Sequence, residues 1–215
     1  MKEKKQDDEE ISIKIVLIGD SSVGKTSIIR RYLEGTFNLC ELSNINPQAS
    51  SKSLIIDNKK IKLNIWDTVG QEKYRSIGRH FYKDSYIVIF VYDITEKKTF
   101  ENLKTFWIND LKNYGEKYTI NAIVGNKSDL YETEEVDEDK AKEYADEINS
   151  EFFVVSALNG DNIEKLFTTL VMKYFEHDFT KKMTEIFDEQ KKGKNTKISK
   201  NKLKNKLKNK FCEIS

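Results

Sequence analysis

The sequence predicts an α/β fold: a three-layer sandwich with a mostly parallel six-stranded sheet, one antiparallel edge strand and about five helices. Three observations carry this expectation. Short apolar runs alternate with helix-forming stretches, and parallel strands joined by helices need right-handed crossovers. The run 86–92 is apolar throughout, as a strand covered on both faces must be. The segments 54–57 and 61–66 flank Asn58-Lys59-Lys60, which reads as a hairpin and supplies the antiparallel pair.

The elements follow in order. Residues 1–10 are charged almost throughout and read as an arm outside the fold. Residues 11–18 form a β-rich apolar strand. A Gly-bracketed loop, 19–26, leads into a helix at 27–33. Residues 36–50 lack periodicity, hold the only proline, Pro47, and read as a long loop of the kind that often carries function. After the hairpin comes a second loop, 67–78. A helix at 100–111, a strand at 118–125, a helix at 137–148 opened by Asp137, a short strand at 152–155 and a helix at 161–175 complete the core. The boundaries expected are an arm at 1–10, a globular domain at 11–178 and a tail at 179–215. In sheets of this kind ligands sit at the carboxyl ends of the strands. Every polar motif below falls just after such an end.

Composition narrows the function. Of 215 residues, 38% are hydrophobic and 34% charged, with 37 basic against 36 acidic side chains. Near-neutrality argues against a nucleic-acid binder with a basic body. It conceals an acidic body and a basic tail: residues 191–210 hold ten Lys and no acid, which leaves the remainder at −9. Twelve Phe, ten Tyr and two Trp supply bulk for a core. Two cysteines, Cys40 and Cys212, are too few and too far apart for a disulfide framework, so a reduced, cytosolic setting is expected. No apolar run approaches the length of a membrane span, and Lys2 stands where myristoylation requires Gly.

The chemistry lies in four motifs. Gly19-Asp20-Ser21-Ser22-Val23-Gly24-Lys25-Thr26 fits G-x-x-x-x-G-K-[ST]. Its glycines let successive N–H groups turn inward onto phosphate oxygens, and the helix starting near Gly24, with Ser27 in its first turn, adds a positive dipole end. Lys25 reaches the β/γ-phosphates, and the Thr26 hydroxyl binds Mg²⁺. In Asp67-Thr68-Val69-Gly70-Gln71-Glu72, Asp67 at a strand end can hold a Mg²⁺-bound water. Gly70 can offer its N–H to a γ-phosphate, and Gln71 can orient an attacking water. In Asn126-Lys127-Ser128-Asp129, the Asp129 carboxylate can accept from guanine N1 and the 2-amino group; adenine lacks that donor pair, so the site discriminates by hydrogen bonding. Ser156-Ala157-Leu158 follows another strand end and can present a backbone N–H to guanine O6.

These four motifs, in this order, resemble the Ras superfamily of small GTPases over residues 13–175. Val91-Tyr92-Asp93-Ile94-Thr95 and Gln71-Glu72-Lys73-Tyr74-Arg75-Ser76 are similar to the Rab family within it. The resemblance implies a P-loop NTPase fold, GTP/GDP and Mg²⁺ as ligands, and Phe37 and Lys127 on the two faces of the guanine. It implies slow GTP hydrolysis with Gln71 and Lys25 as catalytic residues. It also implies an exchange factor, a GTPase-activating protein, effectors and a prenyl-binding chaperone as partners of a monomer in vesicle trafficking. The expected location is the cytoplasmic face of a Golgi or endosomal membrane, with a cytosolic pool.

The chain departs from the family pattern at named positions. The family's first switch loop carries a Mg²⁺-binding Thr nineteen residues after the phosphate-loop Lys; here that position is Asn44, next to Ser43. An Asn amide oxygen can ligate a hard cation but is not the expected ligand. Trp66 and Phe81 keep two places of the usual effector-face triad, while Ala49 stands where a Phe is expected. Leu158 replaces the usual Lys. Looser coupling of nucleotide state to loop order is the expectation, with a non-cycling GTP-binding scaffold as the alternative. A P-loop phosphotransferase or ATPase is disfavoured by Asn126, Asp129 and Gln71.

The chain ends Cys212-Glu213-Ile214-Ser215, a C-a-a-X pattern whose last Ser favours farnesylation, where many Rabs end in two cysteines. One lipid holds a membrane only marginally. Lysines near an anionic surface add about 1 kcal/mol each, so the basic tail would complete the anchor. Leu203, Leu207 and Phe211 would form one apolar stripe if that stretch is helical.

Overall fold

Strand β1, Ile11–Ile18, is the buried centre from which the fold grows. In the computed structural model, which describes residues 10–38, 48–56, 59–68, 82–115 and 119–192, five further strands join it: β2 Gln48–Ile56, β3 Lys59–Asp67, β4 Ile87–Asp93, β5 Ile120–Asn126 and β6 Glu151–Val154. They form one sheet in the order β2-β3-β1-β4-β5-β6. All pairs are parallel except β2 with β3, as the sequence predicts. The order reverses between β3 and β4 on either side of β1, and a crevice for ligand lies at such a switch point.

The helical segments are α1 Lys25–Glu34, α2 Lys97–Asn102, α3 Ile108–Tyr114, α4 Glu138–Glu147 and α5 Ile163–Lys192. A π turn, Leu103–Trp107, joins α2 to α3, and a 3₁₀ segment covers Ser128–Thr133. Period-two alternation in the strands sends side chains to opposite faces. Val16, Ile18, Val88, Phe90, Tyr92 and Ile123 form one core with Phe100, Leu103, Trp107, Leu111, Ala141 and Ala145 from the helices. Toward the other face, Tyr32 of α1 stacks on Phe167 of α5 with ring centroids 3.8 Å apart. Asp137 opens α4 by accepting from the Lys140 N–H, the cap expected of it.

Several boundaries move. β2 begins at Gln48, six residues before the predicted strand, and takes up the end of the predicted loop. Its Gln-Ala-Ser-Ser-Lys-Ser stretch has no apolar alternation to announce it. An edge strand with an open face is held by its backbone ladder to β3, from Gln48 opposite Asp67 to Ile56 opposite Lys59. Lys59 and Lys60, expected in the turn, therefore belong to β3. The predicted helix 100–111 starts at Lys97 and runs on through the π turn to Tyr114. The last helix does not stop at 175 but continues to Lys192. The chain divides into two units after Tyr174. Among the described residues no helix is long and apolar enough to cross a membrane.

Candidate nucleotide site

The loop after β1 takes its shape from three left-handed or glycine-only positions: Gly19, Ser22 and Gly24 have φ of 150°, 65° and 93°. At two of them nothing larger than glycine fits. A Cβ on Gly19 would lie 2.1 Å from the Val91 carbonyl oxygen, and one on Gly24 would lie 2.2 Å from Asn126 Nδ2. Gly24 also caps α1 without a side chain, so the first N–H groups of the helix face the loop's interior. Such an end suits an anion. Lys25 is buried at 5% exposure. Its ammonium donates to the Gly19 and Asp20 carbonyls at 3.0 and 2.6 Å, bracing the loop across its own width. Burial pushes its pKa down to about 8, against the pull of Asp67 and Asp20.

Thr26 and Asp67 meet at the ends of α1 and β3. The Thr26 hydroxyl donates to Asp67 Oδ2 at 2.5 Å, and Asp67 is itself buried. A hydroxyl and a carboxylate are hard oxygen donors of the sort Mg²⁺ takes along with phosphate oxygens and waters. This donor set, beside an uncapped helix end, fits a metal–triphosphate group. The next residue, Thr68, ties its hydroxyl to the Leu17 carbonyl at 2.6 Å, which holds the strand end in place.

The base side is assembled by one amide. Asn126, buried at 2% exposure, donates from Nδ2 to the Val23 carbonyl at 2.8 Å and accepts from the Ala157 N–H at 3.2 Å. It thereby fastens the phosphate loop to the Ser156–Ala157 loop. The Ser156 hydroxyl donates to Asp129 Oδ1, and the Ser128 N–H bonds to the Val155 carbonyl. Lys127 adopts the left-handed conformation, φ 71°, and its ammonium pairs with the buried Asp93 carboxylate. The structure thus brings together Gly19–Thr26, Asp67, Asn126, Lys127, Asp129, Ser156 and Ala157. Ser27 lies in the first turn of α1, Phe37 is half-buried just past that helix, and Leu158 is exposed. Asn44, Ser43, Gly70, Gln71, Phe81 and Cys212 lie outside the described residues, as do the arm up to residue 9 and the tail beyond Lys192.

Three supports escaped the sequence reading. Asp93, which in the sequence marks only the Rab resemblance, sits opposite Asn126 in the β4–β5 register. Besides Lys127 it accepts from the Thr95 N–H and hydroxyl at 2.9 and 2.7 Å. A carboxylate at the end of a buried strand was the signal that flagged Asp67, and it applied equally here. Arg31 of α1 grips the far loop: it donates to the carbonyls of Ala157 at 2.8 Å, Leu158, and Gly35 at 2.6 Å. Asn102 and Trp107 hold the Asp20 carboxylate. No local pattern marks these last two.

A phosphate-binding loop at a sheet's switch point, with a Thr–Asp pair and a base loop on the next strand ends, defines a P-loop nucleotide-binding protein. The Ras family model matches residues 14–176. Ras-related protein Rab11A of Lotus japonicus is 35% identical over 190 residues, 88% of this chain and 83% of that one. GTP-binding protein ypt3 of Schizosaccharomyces pombe is 36% identical over 170 residues, 79% of each chain. Ras-related protein YPT3 of Nicotiana plumbaginifolia is 39% identical over 183 residues, 85% of this chain and 83% of that one. The chain belongs to the Ras superfamily of small GTPases, and within it to the Rab family. It is a GTP-hydrolysing switch that binds GTP or GDP with Mg²⁺, acting with effectors and regulators at intracellular membranes in vesicle trafficking.

Proposed function

We propose that residues Gly19–Thr26 cradle the phosphates of GTP, that Thr26 and Asp67 hold Mg²⁺, and that Asn126, Lys127, Asp129, Ser156 and Ala157 select guanine. Ser27, Phe37 and Leu158 border the nucleotide, and Gly70 meets the γ-phosphate. The observation that carries this reading is Asn126. Its one amide joins the phosphate loop at Val23 to the base loop at Ala157, so both halves of a nucleotide are referenced to a single buried side chain. Lys25 neutralises phosphate charge, and Gln71 orients the attacking water. Mg²⁺, when bound, neutralises charge on the phosphate oxygens. Turnover without an external arginine is slow, on the order of 10⁻⁴ s⁻¹ for this class.

The body at 11–178 carries the switch. The tail at 179–215 carries the membrane anchor through a prenyl group on Cys212 and its lysines, on a Golgi or endosomal surface. The active form is a monomer that meets an exchange factor, an activating protein and a prenyl-binding chaperone. Asn44, in place of the Mg²⁺-binding Thr, favours a second reading: a GTP-binding scaffold that hydrolyses weakly or does not cycle. Competition of unlabelled GTP, GDP and ATP against a fluorescent GDP on metal-replete protein tests the first reading. GTP and GDP should displace the probe at far lower concentration than ATP. Equal displacement by all three overturns it, and single-turnover hydrolysis with and without Mg²⁺ separates the cycling switch from the scaffold.

A further inference from the structure

The helical run from Lys97 to Tyr114 is widened in its middle, and the widened turn faces the phosphate loop. The Ile108 N–H bonds to the Leu103 carbonyl, five positions back, where an α-helix would bond four back. Asn102, just before this turn, and Trp107, its last residue, are also five apart. On a regular helix each residue rotates about 100°, so side chains five apart diverge by about 140°. In the π turn they come onto one face, as residues four apart do on an α-helix. Both then reach a single carboxylate. Asn102 Nδ2 lies 2.5 Å from Asp20 Oδ2, and Trp107 Nε1 lies 2.8 Å from Asp20 Oδ1. Trp107 is buried, so its indole is fixed by packing and its N–H is aimed.

Asp20 is the only acid in the loop Gly19–Thr26. The loop's task is to hold an anion, and a carboxylate free to swing toward the phosphates would repel it. Two donors in line with its two oxygens form charge-assisted bonds, the stronger kind, and draw the charge toward the helix. The same anchoring fixes the backbone at Asp20, whose carbonyl receives the Lys25 ammonium.

We propose that Asn102 and Trp107 are positioning residues of the phosphate loop: brought together by the π turn, they hold the Asp20 carboxylate on the helix side, so that bound phosphates meet Lys25 and backbone N–H groups instead of an acid. This rests on the reading of residues 19–26 as the phosphate cradle. Trp107→Phe keeps a ring in the core and removes the donor; Asn102→Ala removes the other. Each should raise the GDP and GTP dissociation rates of the full chain about tenfold, the worth of one charge-assisted hydrogen bond. In an Asp20→Ala background no carboxylate remains to be held, and adding Trp107→Phe should change the rate by less than about twofold. Tryptophan-labelled NMR gives an independent readout. Of the two indole N–H resonances, the one lost in Trp107→Phe should move upfield in Asp20→Ala, and the Trp66 signal should stay.

Wild-type dissociation rates in both single variants would overturn the proposal. So would an equal multiplicative effect of Trp107→Phe with and without Asp20, or an indole resonance unmoved by Asp20→Ala. If Trp107→Phe does not fold, Asn102→Ala and the resonance shift still decide. Failure of the wild type to bind GDP would instead strike the reading of residues 19–26.

Discussion

The guanidinium of Arg31 donates to the carbonyl of Ala157 at 2.8 Å, across 126 positions of sequence. Through it the helix that begins in the phosphate loop also holds the loop assigned to the guanine. Arg31→Met keeps the aliphatic stem and removes the donors to Ala157, Leu158 and Gly35. The loop at Ala157 and Leu158 should then lose a brace on its carbonyls, leaving the bond from the Ala157 N–H to Asn126 to hold it. GDP dissociation should quicken about tenfold, and preference for guanine over adenine nucleotides, which carry an amino group in place of O6, should narrow, measured by stopped-flow displacement.

The ion pair of Lys127 with Asp93 has one buried partner and one that is a third exposed. Breaking a fully buried pair costs about 3–5 kcal/mol, and exposure of the ammonium lowers that. Asp93→Asn should destabilise the fold by about 2 kcal/mol in urea denaturation. It should also weaken GDP binding, because Lys127 loses the carboxylate that holds its ammonium.

Lys25 makes the nucleotide-free protein pH-dependent in an unusual direction. Its folded pKa is lowered to about 8 from 10.5 by burial. Below pH 8 both folded and unfolded chains carry its proton. Between about 8 and 10.5 the unfolded chain binds more protons, so this group's contribution to stability rises with pH. With both proteins nucleotide-free, Lys25→Met should be more stable than wild type at pH 7. That margin should shrink by pH 9.5 in parallel denaturant titrations.

Asn44 replaces the Thr expected to reach Mg²⁺. Asn44→Thr should raise Mg²⁺-dependent GTP affinity by at least about tenfold, the scale on which groups at a metal site tune binding. It should also speed single-turnover hydrolysis. Unchanged values would mean that Asn44 already serves.

Cys212→Ser should move the chain from the membrane pellet to the soluble fraction, since basic side chains without a lipid leave only a salt-sensitive attachment. Retention in the pellet at high salt would rule out the lipid anchor.

The sequence by itself determined the family and the mostly parallel sheet with its antiparallel edge strand; the strand order β2-β3-β1-β4-β5-β6 came with the tertiary structure. Phosphate-loop geometry needs Gly19, Gly24, Lys25 and Thr26 within eight residues. Buried strands need unbroken apolar runs, and a base-reading carboxylate must follow a strand end. Each of these requirements is local, so each is written in adjacent residues. β2 was half legible because an edge strand of Ser and Lys owes its existence to β3, not to its own pattern. The clamps of Arg31 on Ala157, Asp93 on Lys127 and the Asn102–Trp107 pair on Asp20 were decided by the tertiary structure alone. They join side chains that come within reach only after the crossovers have packed, and the last needs a π turn to rotate two donors onto one face. Charged and amide side chains on a helix surface look alike in sequence, and only the neighbour across the fold separates a solvated one from a support of the site.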